Sequence, residues 1–298
     1  MVGDTGLGNG EDGAAACSKL KVCFFPPSPI MVKNATQERG GICMAKPATL
    51  RQILVVTDGC SNVGISPIAA ATLAREQGIT VNVIGVVDKH EMGEQGEQEI
   101  REMAQAGGGL SDIVYPAQLA QTVQMLTRKA MTRTIQHVVN KELKHILGGA
   151  ELEGLAPEKR MQVAGMVDEL GEQSALEVVM IVDTSASMKN KMSAVQQAIY
   201  DFSISLRSRS GSSRMAVCSF PGKEKHLEVR IPWTDQIEKA YELTAGLTMS
   251  GITPTGPAIT EAIALFEHVE LPKPLADRYR TKKKANEEDD GYLQDHVF

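Results

Sequence analysis

Three oxygen-bearing side chains follow an apolar run in the segment VVMIVDTSASM, residues 178–188. They are Asp183, Ser185 and Ser187. A carboxylate and two hydroxyls are the kind of oxygen ligands that a small, hard divalent cation such as Mg²⁺ binds. The five apolar residues before them predict a strand buried on both faces, as in the parallel sheet of an α/β domain. Ligands bind at the carboxyl ends of strands in such sheets, so these side chains are candidate metal ligands.

The same residue types also have a purely structural interpretation. Asp and Ser commonly cap the helix that follows a strand, because their oxygens accept from its free N–H groups. Thr255, followed by Gly and Pro, is typical of a helix start. Asp58 and Gly59 form an ordinary turn dipeptide. None of these motifs indicates a metal site alone, and the metal interpretation depends on their lying together at strand ends.

Residues 52–117 alternate between apolar strands and helical stretches. Strands are predicted at 52–59, 79–87 and 112–117, and helices at 66–78 and 96–109, with the glycines at 107–109 ending the second helix. This β-α-β-α-β order predicts parallel strands joined by right-handed crossovers.

The rest of the chain predicts further helices and a second group of strands. Helices are predicted from about residue 119 to 147, at 156–172, at 192–209, near 235–247 and up to about His268. The strand at 178–182 is followed by two more, at 214–220 and 227–233, which are close enough in sequence to form an antiparallel hairpin. The loop MSGITPTGPAI, residues 249–259, precedes the last helix.

Composition and charge exclude several classes of function. The chain is 42% apolar and 23% charged, which is ordinary for a soluble globular protein, and its net charge of -6 provides no overall positive field for nucleic acid or anionic lipid. No apolar run approaches the roughly 18 residues of a membrane helix. The five cysteines have no paired spacing, so a disulfide framework or zinc site is not indicated, and a reducing cytoplasm fits best.

The Asp183-Thr-Ser185-Ala-Ser187 motif resembles the Asp-x-Ser-x-Ser signature of bacterial-type von Willebrand factor A (vWA) domains, which forms a metal-ion-dependent adhesion site. The resemblance implies a Rossmann-like α/β fold: a doubly wound, mostly parallel central sheet with helices on both faces and one antiparallel edge strand. It also implies a Thr ligand from a later loop. The loop GITPTGPAI at 251–259 matches, and the ligand role is carried to Thr253, with Thr255 in reserve.

The family's remaining ligand is an Asp at the end of the fourth strand, usually in a Thr-Asp-Gly. Here the matching segment ILVVTDGCSN, residues 53–62, lies upstream, so the resemblance implies that Asp58 is this ligand. The chain would then be circularly permuted, with the family's strands four to six before strands one to three. The chain can join the family's original carboxyl and amino ends, because domain termini commonly lie close together at the surface.

This resemblance divides the chain into five predicted parts. Strands four to six of the vWA fold fall in 50–134, a helical linker in 135–174, and strands one to three with the Thr loop in 175–270. The extensions at 1–49 and 271–298 are predicted to be disordered, because they lack sustained periodicity. Met44 is an alternative start, since a natural opening sequence follows it.

The function implied by the resemblance is non-catalytic, metal-dependent protein binding. The ligand set of Asp183, Ser185, Ser187, Thr253 and Asp58 implies Mg²⁺ or Mn²⁺ as cofactor. Since hydroxyls predominate, the cation would stay electrophilic and accept an acidic residue from a partner protein. Nucleic acid and membrane insertion are not expected.

Three alternatives remain open from the sequence. A metal-dependent phosphohydrolase could use Asp183 as nucleophile, although the haloacid dehalogenase type needs a second Asp where this chain has Ser185. A structural scaffold could retain a vestigial site. The two halves could also complete their sites with a second copy, which would give a swapped dimer instead of a monomer.

Overall fold

A computed structural model describes residues 49–88, 93–146, 156–235 and 252–266, with side chains of 142–146 left aside. The strands are β1 Thr49–Thr57, β2 Ile79–Val86, β3 Gly108–Val114, β4 Ala175–Asp183, β5 Ser213–Phe220 and β6 Glu228–Thr234. The helices are α1 Pro67–Glu76, α2 Glu94–Ala106, α3 Leu119–Ile146, α4 Pro157–Gln173, α5 Met192–Arg207 and α6 Thr255–Ile263, with short 3₁₀ helices at Pro116–Gln118 and Ala186–Lys191. Apart from Asp235, the helix predicted near 235–247 lies outside these residues. So do the extensions predicted at 1–49 and 271–298, except Thr49, which begins β1.

The described strands form one six-stranded sheet in the order β3-β2-β1-β4-β5-β6. All neighbouring pairs are parallel except β5 and β6, which are antiparallel at one edge. The predicted α/β class and the antiparallel hairpin are therefore confirmed. Each predicted half of the fold contributes three strands, and β1 and β4, one from each half, lie side by side at the centre.

Side chains that alternate along the central strands build a core on each face of the sheet. Ile53 and Val55 pack with α1, α2 and α6, whereas Leu54 and Val56 pack with α3 and α5. All four are at most 1% exposed, which explains why this part of the strand is continuously apolar. Helices cover both faces, as predicted, and α4 packs on α3. None of the described helices is both long and apolar enough to cross a bilayer.

Three predicted strands start later than the strands of the structure. β1 begins at Thr49 and β4 at Ala175, each three residues before its predicted start. β3 begins at Gly108, within the glycine run that was predicted to end the helix, and only Gly107 serves as the helix C-cap. The reason is close packing of two backbones, since a Cβ at Gly109 would lie 2.1 Å from the carbonyl oxygen of Val81 in β2.

The junction between β1 and β4 is the topological switch point of the sheet. From β1 the chain continues to α1 on one face, and from β4 it continues to α5 on the other. Strand order runs outward in opposite directions from this pair. Such a junction leaves a crevice at the carboxyl ends of the strands, where ligands of open α/β sheets bind.

Candidate metal centre

Asp183 lies at the carboxyl end of β4 and is completely buried. Its Oδ2 accepts a hydrogen bond of 2.7 Å from the hydroxyl of Thr57, the last residue of the adjacent strand β1. Its Oδ1 accepts one of 2.7 Å from the backbone N–H of Ser185. The carboxylate is thus held in one orientation by groups from both central strands.

Burial raises the pKa of Asp183 to about 6 from an ordinary value of 3.8. The hydrogen bonds from Ser185 and Thr57 favour the charged form and oppose this rise, while the nearby charge of Asp58 adds to it. A buried carboxylate in this state is poorly solvated. A cation at its side would therefore stabilise its ionised form.

The hydroxyl oxygens of Ser185 and Ser187 lie 3.1 Å apart. Ser185 is the N-cap of the 3₁₀ helix Ala186–Lys191, but its side chain makes no capping hydrogen bond. The capping interpretation therefore does not account for this hydroxyl. Two neighbouring ligands of octahedral Mg²⁺, each about 2.1 Å from the ion, are separated by roughly 3 Å, so the spacing of the pair fits such a cation.

Asp58 follows β1 and meets the same cluster from the other half of the chain. Its Oδ1 accepts a 2.7 Å hydrogen bond from the hydroxyl of Ser187, and its Oδ2 pairs with the ammonium group of Lys191. The Asp58 side chain is 2% exposed. A continuous series of hydrogen bonds therefore joins Asp183 to Asp58 through the two serines.

Thr253 lies in the loop before α6 and is held against the loop that follows Asp58. Its backbone N–H donates to Oδ1 of Asn62 over 2.8 Å, and its carbonyl oxygen accepts from the N–H of Asn62 over 3.1 Å. The same carbonyl accepts from the hydroxyl of Ser61 over 3.1 Å. Three hydrogen bonds thus join the Thr loop to the Asp58 loop at this end of the sheet.

Thr255 is the first residue of α6 and not its N-cap, which is Pro254. Thr255 is 1% exposed, and its hydroxyl has no hydrogen-bond partner in the described part of the chain. The helix start predicted here is present, but this side chain does not cap it. Thr253 is 7% exposed, so both threonines are buried.

Two glycines allow the Asp58 loop and the Thr loop to approach each other. A Cβ at Gly256 would lie 2.0 Å from the carbonyl oxygen of Ile65. Gly64 has a φ of 90° and contacts Pro257, whose Cγ would lie 2.4 Å from an added Cβ. Only glycine fits at these contacts. The backbone packing therefore fixes the two loops together independently of the polar side chains.

Two protein-family models match the chain, one at residues 30–141 and one at residues 178–285. Both are described as von Willebrand factor type A domain. The first range contains β1 to β3, and the second contains most of β4 together with β5 and β6. This chain belongs to the von Willebrand factor type A domain family. Both matched ranges contribute to one vWA sheet.

Two bacterial proteins resemble this vWA chain over most of their length. The uncharacterized protein YabS of Bacillus subtilis is 52% identical over 221 residues, which cover 74% of this chain and 90% of that protein. An uncharacterized protein from Alicyclobacillus acidocaldarius, whose crystal structure is solved, is 43% identical in sequence. Its structure matches with a TM-score of 0.69 over 79% of this chain and 97% of that one.

The donor set of the vWA cluster is rich in hydroxyls and poor in charge. Within the described ranges, no group of three or more His, Cys, Asp or Glu side chains is suited to a metal. Two carboxylates with neighbouring hydroxyls could instead hold a hard cation that keeps part of its water. The residues present therefore fit Mg²⁺ or Mn²⁺ better than a transition metal that prefers His or Cys ligands.

Sequence reasoning missed three residues that position this cluster. Thr57 bonds Asp183, Lys191 pairs with Asp58, and Glu99 of α2 accepts a 2.7 Å hydrogen bond from the backbone N–H of Ser61. Burial raises the pKa of Glu99. No local sequence pattern marks these three residues, because each of these bonds depends on a tertiary contact.

Proposed function

We propose that this vWA chain is a non-catalytic, divalent-cation-dependent protein-binding module. Its metal-ion-dependent adhesion site takes Mg²⁺ or Mn²⁺ and accepts a carboxylate from a partner protein. The observation that carries the proposal is the pair of hydroxyl oxygens of Ser185 and Ser187, 3.1 Å apart between two buried carboxylates. This arrangement supplies oxygen ligands without a large negative charge.

The hydrogen bonds of the two carboxylates support their proposed roles. Asp183 is held by Thr57 and Ser185, so its charge is directed at the cluster. Asp58 accepts a hydrogen bond from the Ser187 hydroxyl, which directs that proton away from a cation bound at the serine oxygen. Thr253 completes the proposed set from the Thr loop. When bound, the cation supplies a Lewis-acidic position that favours an added carboxylate.

We also propose that the chain is a circular permutant of the vWA fold. The sheet order is consistent with this, because β4, β5 and β6 stand in the order that the family's strands one to three would occupy beside strand four. The proposed linker between the original termini of the fold, residues 135–174, then comprises the second part of α3 and all of α4. The halves would form one site and not two, since Asp58 and Ser187 come from different halves.

Exposed apolar side chains in the Asp58 loop and the Thr loop support a protein as the partner. Val63 and Ile65 in the Asp58 loop are 39% and 40% exposed, and Ile252 beside Thr253 is 46% exposed. Exposed apolar residues around a polar centre are typical of protein-binding surfaces. A partner that presents an acidic residue among apolar neighbours would match both features.

Calorimetric titration of Mg²⁺ and Mn²⁺ into the full chain tests the metal site. Asp183→Ala and Asp58→Ala should each abolish binding with the fold intact by circular dichroism, while the control Asp168→Ala, which removes an exposed carboxylate from α4, should bind as the wild type does. If Asp58→Ala has no effect, the halves do not share a site and the permutation is wrong. If the folded wild type binds neither cation, a scaffold with a vestigial site becomes the better description.

The carboxylate-accepting step needs its own measurement. Mn²⁺-loaded protein should enhance water-proton relaxation, and acetate should reduce that enhancement by displacing a bound water. Phosphatase activity on a generic phosphoester, lost in Asp183→Ala, would instead favour the phosphohydrolase. The position two residues after Asp183 argues against that reaction, because it is Ser185 and not a second carboxylate.

We further propose a cytoplasmic location and a monomer or swapped dimer. The described cysteines, Cys60 and Cys218, are free thiols, which is compatible with a reducing compartment. Sedimentation distinguishes the two assemblies, because a swapped dimer would have twice the mass while retaining one site per chain.

A further inference from the structure

Lys191 places a buried positive charge on the carboxylate of Asp58. Its side chain is 8% exposed, and that of Asp58 is 2% exposed, so water solvates neither partner fully. The ammonium group pairs with Oδ2 of Asp58 and lies 3.5 Å from the carbonyl oxygen of Ser187. The opposite oxygen of Asp58 faces the hydroxyl of Ser187. One carboxylate oxygen of Asp58 therefore bonds the ammonium group, and the other bonds a proposed metal ligand.

The position of Lys191 in the chain keeps its side chain in place. It ends the 3₁₀ helix Ala186–Lys191 and is followed directly by α5. Met188 and Met192, which flank it on this segment, are buried in the core, at 0% and 7% exposure. Moving the ammonium group to solvent would leave the Asp58 carboxylate buried without its partner, which is costly. We therefore expect the pair to persist whether or not a cation is bound.

The pair changes the charge that the site presents. Asp183 and Asp58 carry two negative charges when ionised, and Lys191 cancels one of them. A divalent cation then leaves one positive charge in excess, whereas the same site without Lys191 would be neutral. An excess positive charge weakens metal binding but strengthens attraction for an added carboxylate.

We propose that Lys191 is a specificity-determining residue, which lowers the metal affinity of the site in order to keep the bound cation attractive to a partner's carboxylate. The inference rests on the proposed function. It concerns Asp58 alone among the proposed ligands, because that is the carboxylate to which Lys191 is bonded. An ordinary structural ion pair would have the opposite consequence, since breaking it would loosen the site and weaken metal binding.

Titration calorimetry of Mg²⁺ into full-length variants separates these roles. Lys191→Met removes the positive charge. If that variant fails to fold, Lys191→Gln removes the charge while keeping an N–H donor for Asp58. Each should bind Mg²⁺ about tenfold more tightly than the wild type, which corresponds to one screened charge interaction. Lys191→Arg should keep the wild-type affinity. Lys189→Met removes an exposed charge two residues away, and should change affinity less than about twofold.

Acetate gives the second measurement. On Mn²⁺-loaded Lys191→Gln, acetate should lower the water-proton relaxation enhancement only at concentrations several-fold higher than on the wild type. If folded Lys191→Gln binds Mg²⁺ no more tightly than wild type, Lys191 is a structural pair and the inference is overturned while the metal site stands. If neither the wild type nor any Lys191 variant binds Mg²⁺ or Mn²⁺, the proposed function fails and the inference fails with it.

Discussion

The hydroxyl of Ser187 donates a 2.7 Å hydrogen bond to the carboxylate of Asp58, although the two residues lie 129 positions apart in the chain. Ser187 follows β4, and Asp58 follows β1, the adjacent central strand. The bond therefore joins the two halves of the fold at the switch point of the sheet. Stability and ligand binding at this end of the molecule are therefore expected to be coupled.

The buried carboxylate of Asp183 should make the metal-free protein less stable as pH rises. Its folded pKa of about 6 exceeds the ordinary 3.8, so the folded state binds this proton more tightly than the unfolded chain does. Its contribution is full below about pH 4 and is lost as pH rises through about 6, at a cost of at most about 3 kcal/mol. Asp183→Asn removes this titration and should be more stable than wild type at pH 7.5 in EDTA.

Urea denaturation between pH 4.5 and 8 measures this difference. Adding Mg²⁺ should restore stability to the wild type above pH 6, because a cation offsets the buried charge, and should not affect Asp183→Asn. A variant that is less stable than wild type at pH 7.5 without metal would contradict the expectation. It would show that the hydrogen bonds of the carboxylate outweigh the cost of burying its charge.

The two threonines of the Thr loop should respond differently to loss of their hydroxyls. Thr255→Val removes a buried hydroxyl that lacks a partner in the described residues, so it should raise the free energy of unfolding by about 1 kcal/mol. It should not change Mg²⁺ affinity. Thr253→Val should abolish Mg²⁺ binding with little change in stability, because Thr253 pairs with Asn62 through its backbone. Calorimetry with the reverse result would assign the ligand to Thr255.

Gly256→Ala should separate the Asp58 loop from the Thr loop. The added Cβ would lie 2.0 Å from the carbonyl oxygen of Ile65, so one backbone must shift, and a cost of about 2 kcal/mol or more is expected. Gly165→Ala is a suitable control, because Gly165 lies within α4 with nothing within 4 Å of an added Cβ. That substitution should stabilise the protein by about 0.5–1 kcal/mol. Equal effects in thermal denaturation would be inconsistent with the close approach.

The two described thiols should differ in reactivity. Burial raises the pKa of Cys218 to about 12, so it should resist iodoacetamide at pH 8 while the protein is folded. Cys60 is exposed, although partial burial and then the charge of Glu99 raise its pKa. Peptide mass spectrometry should find Cys60 labelled first. Glu99→Gln should lower the Cys60 pKa and speed its labelling, whereas Glu76→Gln, at an exposed position of α1, should not.

Local patterns in the sequence were sufficient for most of the fold. Continuous apolar runs predicted β1, β2 and β4, because a strand covered on both faces needs apolar side chains at nearly every position. The predicted bounds of β3 differ from the structure because glycines occur there. The run at 107–109 ends α2 but also begins β3, and only the contact of Gly109 with Val81 explains why.

The sequence by itself supplied the candidate residues, because the motif at 183–187, the Thr loop and the segment at 53–62 resemble the vWA pattern. Each motif alone also fits a helix cap or a turn. The order in which the strands lie in the sheet came from the structure, because the sequence gives only their order along the chain. Tertiary structure alone decided the partners. Thr57, Asn62 and Lys191 carry no local signal for their bonds, since each bonds a residue on another part of the fold whose position follows only from packing.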